Sequence, residues 1–119
     1  MPFILNSKNR TLTVKLEGEL DLVSAHEFRE TVDQAMRELM SENLLIDLSR
    51  VTFIDSSGLG VILGRFRKIK GTNGQMVLYG PSANVRRILE LSGISTFIPI
   101  CLNEAEAWKL IEKRTVKEA

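Results

Sequence analysis

The stretch from Leu44 to Ile69, LLIDLSRVTFIDSSGLGVILGRFRKI, constrains this chain more than any other part of it. It opens on the apolar run Leu44-Leu45-Ile46, closed by Asp47 and Leu48, and short continuous runs of this kind suit a strand buried on both faces. A second apolar patch, Val51 to Ile54, carries the chain to the polar turn Asp55-Ser56-Ser57-Gly58. Beyond the turn, Leu59, Ile62, Leu63, Phe66 and Ile69 recur with helix periodicity. A buried strand thus feeds a turn, and the turn opens a helix whose first N–H groups and positive dipole end face outward. Placed on a helical wheel, Ser57 points away from the expected core stripe of Leu59, Leu63 and Phe66. The same outward face carries Gly60, Val61, Gly64 and Lys68. It is smooth beside the serine and basic farther along.

The rest of the chain alternates around this unit. Phe3-Ile4-Leu5 predicts a short strand and Ser7-Lys8-Asn9-Arg10 a turn. Leu12, Val14 and Leu16 alternate with polar residues, which predicts a hairpin partner with one wet face. Gly18-Glu19-Leu20-Asp21 reads as a loop. Ser24 and Glu27 have capping-box spacing, with Val23 and Phe28 at the staple positions, and Phe28, Val32, Ala35, Met36 and Leu39 form a core stripe. After the central unit, Gly71-Thr72-Asn73-Gly74 is a turn with glycines suited to positive φ. Met76 to Tyr79 is a further strand. Ser82 caps a helix with Val85, Ile88 and Leu89 inward and Gly93 at its stop. Phe97 to Ile100 predicts an edge strand, and Asn103 with Glu106 opens a last helix carrying Ala107, Trp108, Leu110 and Ile111. The charged stretch 112–119 is expected to fray. The pattern predicts an α/β layer structure: a mixed sheet of four or five strands, mostly parallel with one antiparallel edge, and about four helices. Loops at the carboxyl ends of parallel strands carry function, and the Asp55 to Gly58 turn is one of them.

A length of 119 residues fits one domain, with a core over about 3–113. The net charge of +1 supplies no basic field for an obligatory nucleic-acid partner. Cys101 stands alone, so no internal disulfide forms. No signal-peptide pattern opens the chain, and no apolar run reaches the roughly 20 residues of a membrane span. A soluble cytoplasmic protein is the expectation.

Four chemistries compete for the turn. A serine hydrolase needs a nucleophile elbow and a base, but the G-x-S-x-G pattern is absent and His26 is the only histidine. Gly58-x-Gly60-x-x-x-Gly64 follows a strand and opens a helix, yet it is one residue longer than the dinucleotide fingerprint, and no Gly-Lys-Ser/Thr loop occurs. One Cys and one His cannot make a structural zinc site, and Asp21, Asp47 and Asp55 are more simply helix caps than metal ligands. No metal or cofactor is expected. The fourth reading is a recognition surface that can be modified. Capping explains the polar turn, but the outward Gly60 and Gly64 each cost about 1 kcal/mol of helix stability relative to Ala. A closely approaching partner would give that cost a purpose. The residues alone leave the cap and the surface equally open.

Ile46-Asp47-Leu48-Ser49, Phe53-Ile54-Asp55-Ser56-Ser57-Gly58-Leu59-Gly60, Val61 to Arg65, Gly18-Glu19-Leu20-Asp21 and Ser92-Gly93-Ile94 together resemble the STAS domain family. Within it they are most similar to bacterial anti-sigma factor antagonists, in particular the sporulation antagonists of the anti-sigma-F factor. The resemblance implies a non-enzymatic partner switch. The unmodified antagonist binds an anti-sigma factor that is also a serine kinase carrying ATP or ADP, and so releases a sigma factor. Phosphorylation of the second serine of the turn, here Ser57, ends that binding, and a serine phosphatase restores it. Asp21 and Asp55 match acidic positions flanking the modified serine. The implied contact face is Asp21, Asp55, Ser56, Ser57, Gly58, Gly60, Val61 and Gly64, on a protein monomeric when free. The alternative is a STAS module that binds a small molecule or nucleotide and has no sigma-factor role.

Overall fold

The computed structural model describes residues 3–118, with side chains to Lys113. Its elements follow in the order β1 (Phe3–Lys8), β2 (Thr11–Leu20), α1 (Leu22–Glu38), β3 (Asn43–Ile54), α2 (Ser56–Lys70), β4 (Met76–Tyr79), α3 (Ala83–Ser92), a 3-10 turn (Ile94–Thr96), β5 (Ile100–Cys101) and α4 (Glu104–Glu118). The five strands lie side by side in chain order. β1 pairs antiparallel with β2, and all later pairs are parallel. The expected mixed sheet with one antiparallel edge is therefore the observed one.

Because the parallel strands follow one another in chain order, right-handed crossovers place α1, α2 and α3 on the same face. That face holds the main core, in which Leu12, Val14, Leu44, Ile46 and Leu78 meet Phe28, Val32, Ile62, Ile69, Val85 and Leu89. α4 covers the other face with Ala107 and Ile111, against Leu45, Val77 and Tyr79. β3 from Leu44 to Leu48 is thus buried on both sides, as its continuous apolar run predicted, and so is β4; beyond Leu48, β3 buries only Val51 and Ile54. The wet face expected of β2 is not there at its start: Thr11 and Thr13 are buried along with Leu12 and Val14.

Several boundaries differ from the sequence expectation. β2 does not stop at Gly18 but runs to Leu20, held by its pairing with β3 through Leu20 and Ile54. α1 begins three residues earlier than Ser24 implied. Its N-cap is Asp21, and Ser24 is the N3 residue of the capping box. Val23 is therefore outside, 86% exposed, and forms no staple with the buried Phe28. Leu39 is the C-cap and lies exposed. In the Gly71 to Gly74 turn the positive φ falls on Asn73, not on either glycine. Gly74 is needed for space, since a Cβ there would meet Glu42 O. The β1–β2 turn is tighter than predicted: Ser7 and Lys8 stay in the strand, and Asn9 and Arg10 both take positive φ, the signature of a two-residue type I′ hairpin.

β5 is only Ile100–Cys101, at the edge as expected. Phe97 and Ile98 belong to the end of the 3-10 turn, where both N–H groups donate to Ile94 O. The stretch expected to fray continues α4 to Glu118; Ala119 lies outside the described residues.

Candidate functional site

Neighbouring strands β2 and β3 end level with one another, so the helices that follow them start side by side. Each start is capped by an aspartate in extended backbone, Asp21 for α1 and Asp55 for α2. Asp21 Oδ1 accepts from the N–H groups of Val23 (3.1 Å) and Ser24 (3.0 Å). Ser24 Oγ accepts from Asp21 N–H (2.9 Å) and donates to Glu19 O (2.9 Å), which closes the capping box. The Ser24 N–H, foremost, holds the Asp21 carboxyl below its ordinary value.

Asp55 divides its two oxygens. Oδ1 accepts from Gly58 N–H at 3.0 Å, within its own helix. Oδ2 accepts from Leu22 N–H at 3.2 Å, at the start of the other helix. Asp55 N–H in turn donates to Leu20 O at 3.2 Å. One side chain thus satisfies orphan donors of two helices and ties the junction together.

Gly58 makes this proximity possible. A Cβ at that position would lie 2.3 Å from Leu20 O and 2.9 Å from Ile54 Cγ2. It is buried, and it packs α2 against the strand ends. The same observation gives the first glycine of the Gly58-x-Gly60 pattern a purpose other than a phosphate. Gly60 and Gly64 are the opposite case, with open space where a side chain would stand. Gly60 is exposed on the outer side of α2, as the wheel predicted, whereas Val61 and Gly64 are half-buried and Val61 packs against the main core.

Ser57 is half-buried beside the exposed Ser56. It lines a shallow groove of about 350 Å³ between α1 and α2, with Leu22, Ala25, His26, Gly60 and Val61. Leu22 at 74% and Val23 at 86% exposed add an apolar rim that the sequence reading missed. Their signal was the pair of aliphatic residues directly after Asp21, misread because the helix was started at Ser24. His26 is exposed, and its Nδ1 accepts from Arg29 Nη2 at 3.0 Å; no hydrogen bond joins it to Ser57 among the described residues. Asp47 stays apart from Asp21 and Asp55, with its carboxylate on Ser49 N–H at 2.9 Å. No group of three or more potential metal-binding side chains occurs among the described residues.

The inner side of α2 also departs from expectation. Its buried residues are Gly58, Ile62, Arg65 and Ile69, while Leu59, Leu63 and Phe66 are only partly buried. Arg65, which the core stripe read from periodicity did not include, lies 7% exposed between the helices. Its Nε stands 2.9 Å from Asp33 Oδ1, and Lys68 Nζ stands 3.0 Å from Asp33 Oδ2. Burial pushes the Arg65 pKa down and the Asp33 charge opposes that shift.

Fold and junction together define a class: a small α/β unit presenting two adjoining, cross-tied helix starts with a serine between them. The chain belongs to the STAS domain family, whose profile matches residues 3–107. It is 38% identical over 101 residues to the anti-sigma F factor antagonist of Paenibacillus polymyxa, covering 85% of this chain and 86% of that one. It is 32% identical over 97 residues to the anti-sigma-B factor antagonist of Listeria monocytogenes, covering 80% and 82%. Among solved structures it resembles the anti-sigma factor antagonist SpoIIAA. The unphosphorylated form matches at TM-score 0.70 and 27% identity over 95% of this chain and 98% of that one. The phosphorylated Bacillus form matches at 0.72 and 28% over 92% and 99%. No helix among the described residues is long and apolar enough to cross a membrane.

Proposed function

We propose that this protein is an anti-sigma factor antagonist whose hold on its anti-sigma factor is set by phosphorylation of Ser57. The names of its relatives support the antagonist role, and the existence of SpoIIAA in two phosphorylation states supports a phosphate switch. The observation that carries the choice of residue is the placement of Ser57: half-buried at a junction whose two aspartates already bind backbone N–H groups, beside the open surface of Gly60 and Gly64.

The energetics favour a switch at the interface rather than in the fold. A phosphate adds about −1.5 to −2 charge and three acceptor oxygens. At a helix start such charge is stabilised locally by about 0.3–1 kcal/mol. Asp21 Oδ1 and both Asp55 oxygens are engaged by backbone N–H groups, so the junction has little reason to rearrange. A partner packed over Gly60, Val61 and Gly64 meets the opposite situation, because a new dianion is driven into a drying seam near two carboxylates. Burying an unpaired charge costs several kcal/mol, and each 1.4 kcal/mol is tenfold in affinity. The interface term is the larger one.

In this reading the partner is an anti-sigma factor with serine-kinase activity that itself carries the nucleotide, and a phosphatase resets the switch. The test is incubation of the pure chain with ATP and the cognate kinase, followed by phosphopeptide mapping. Phosphate is expected on Ser57, with Ser57→Ala unmodified yet still bound. Phosphate mainly on the exposed Ser56, or none on either serine, would overturn the assignment.

A further inference from the structure

The groove that holds Ser57 has a basic wall on its α1 side. Leu22, His26 and Arg29 line it at i, i+4 and i+7, one after another along the face that meets α2. The Asp55 to Leu22 hydrogen bond of 3.2 Å sets the two helix starts level. Ser57 therefore stands by the first turn of α1, with His26 about 6 Å and Arg29 about 10 Å beyond Leu22 along the axis. Side chains on a helix lean toward its N-terminus, which brings both basic groups back toward the serine. The observed contact agrees, since Arg29 Nη2 reaches back to donate to His26 Nδ1 at 3.0 Å. That bond places the proton of the neutral imidazole on Nε2, and the guanidinium keeps further N–H donors.

Both side chains are exposed. Among the described residues, no carboxylate lines the groove. The carboxylates around it are engaged elsewhere or hold Arg29 weakly. Glu30 Oε1 stands 3.7 Å from Arg29 Nε in a loose exposed pair. Asp33 is taken by Arg65 at 2.9 Å and Lys68 at 3.0 Å. Asp21 Oδ1 and both Asp55 oxygens are on backbone N–H groups. The groove has room as well: its volume is about 350 Å³, and nothing lies within 4 Å of where a Gly60 side chain would begin. A phosphoryl group fills only a few water-sized spaces of about 30 Å³ each.

We infer that the phosphate on Ser57 is held within the same chain, by Arg29 and His26 across the α1–α2 groove. The inference rests on Ser57 being the modified residue. In the unmodified chain no hydrogen bond joins Ser57 to His26 among the described residues. Phosphorylation lengthens the side chain by two bonds and supplies three acceptor oxygens, to which a guanidinium and an imidazole N–H are complementary. The carboxylates of Asp21 and Asp55 repel the phosphate from the helix starts, and the basic wall draws it toward α1. The bridged groove then opposes a partner in a second way, because seating over Gly60 and Val61 requires breaking the pair.

The test uses the full chain with phosphoserine installed at position 57 during translation, so that it does not depend on which residue a kinase selects. Phosphorus NMR follows the second ionisation of the phosphate, ordinarily near pH 6. Phosphoserine at position 56, exposed and outside the groove lining, is the reference. The midpoint at position 57 is expected about 0.5 below that at position 56. Arg29→Gln and His26→Gln should each raise it, and Arg29→Lys, which keeps the charge but not the fork, should fall between. Alkaline phosphatase should release phosphate from Arg29→Gln several-fold faster than from the parent. Both positions are exposed on α1, and melting curves check that the variants fold. The inference is overturned if the two phosphoserines titrate alike, or if neither variant moves the midpoint at position 57, since the phosphate then points to solvent. A kinase that modifies Ser56, alongside the expected midpoints, would overturn the choice of Ser57 and still support the contact.

Discussion

The starts of α2 and α3 are built from the same local plan and serve different ends. Both follow a parallel strand, both have an N-cap residue in extended backbone, and both caps accept the N–H of the N3 residue: Asp55 from Gly58 at 3.0 Å, Ser82 from Val85 at 3.2 Å. At α3 the plan ends there. Val85 points into the core and is fully buried, and the cap serves only its own helix. At α2 the N3 position is glycine, the space of its missing side chain is taken by Leu20 O, and the cap's second oxygen reaches Leu22 N–H of a neighbouring helix. One start is an ordinary helix beginning. The other is a joint between two helices, and the joint is what fixes Ser57 beside α1. A polar turn alone therefore does not mark a site; the second helix does.

The sharpest way to break this comparison is to make α2 resemble α3 at N3. Gly58→Val should destabilise the protein by about 3 kcal/mol, since the new Cβ would lie 2.3 Å from a backbone oxygen that cannot easily move. Urea denaturation would measure it. Gly60→Ala, two residues away in open space, should instead gain about 0.5–1 kcal/mol of helix stability. Equal effects from the two substitutions would mean that the strand ends do not press on Gly58.

The next effect is on binding. Ser57→Asp should lower affinity for the anti-sigma partner about a hundredfold, which is about 2.8 kcal/mol at 1.4 kcal/mol per tenfold, while its melting curve stays close to the parent's. A carboxylate at a helix start is compatible with the dipole and the cap, so the fold tolerates what the seam does not. Loss of binding accompanied by an equal loss of stability would make this a folding defect and remove its support for the switch. Aspartate carries less charge than phosphoserine, so the phosphorylated protein should bind more weakly still.

Cap removal separates joint from cap. Asp55→Ala strips acceptors from two helices and should cost about 2 kcal/mol, against about 1 kcal/mol for Ser82→Ala. A double-mutant cycle between Asp55 and Asp21 should be non-additive, because both hold the start of α1. Equal single costs and strict additivity would reduce Asp55 to a second Ser82.

The smallest effect is in the pH dependence. The Asp21 carboxyl is held below its ordinary value of 3.8, so its stabilising contribution is complete above that pH and is lost as pH falls through the lower folded-state value. Melting temperatures followed downward in pH should therefore fall less steeply for Asp21→Asn than for the parent. No difference in slope would mean that the carboxylate is not held by the α1 N–H groups.

The sequence by itself determined the layer order, the central strand and its turn, the strand at Met76 to Tyr79, the Ser82 and Gly93 boundaries of α3, and the turn that carries Ser57. These are local facts: periodicity, caps and turn residues act within a few positions of one another, and the family motif is itself such a run. Only the tertiary structure decided what depends on a neighbour. Whether Ser24 or Asp21 caps α1 turned on β3 holding β2 in the sheet as far as Leu20, which moved the helix start back by three residues. Thr11 and Thr13 are buried although their alternation with Leu12 and Val14 reads as a wet face, and Thr11 Oγ1 accepts from Asn43 Nδ2 of the neighbouring strand, 32 residues away in sequence. Arg65 is inside because Asp33 on α1 is there to meet it, and a charged residue in a helical pattern otherwise reads as surface. Gly58, Gly60 and Gly64 are identical in the sequence and differ in the fold. Gly58 has another strand's oxygen in its side-chain space, and the other two face open surface.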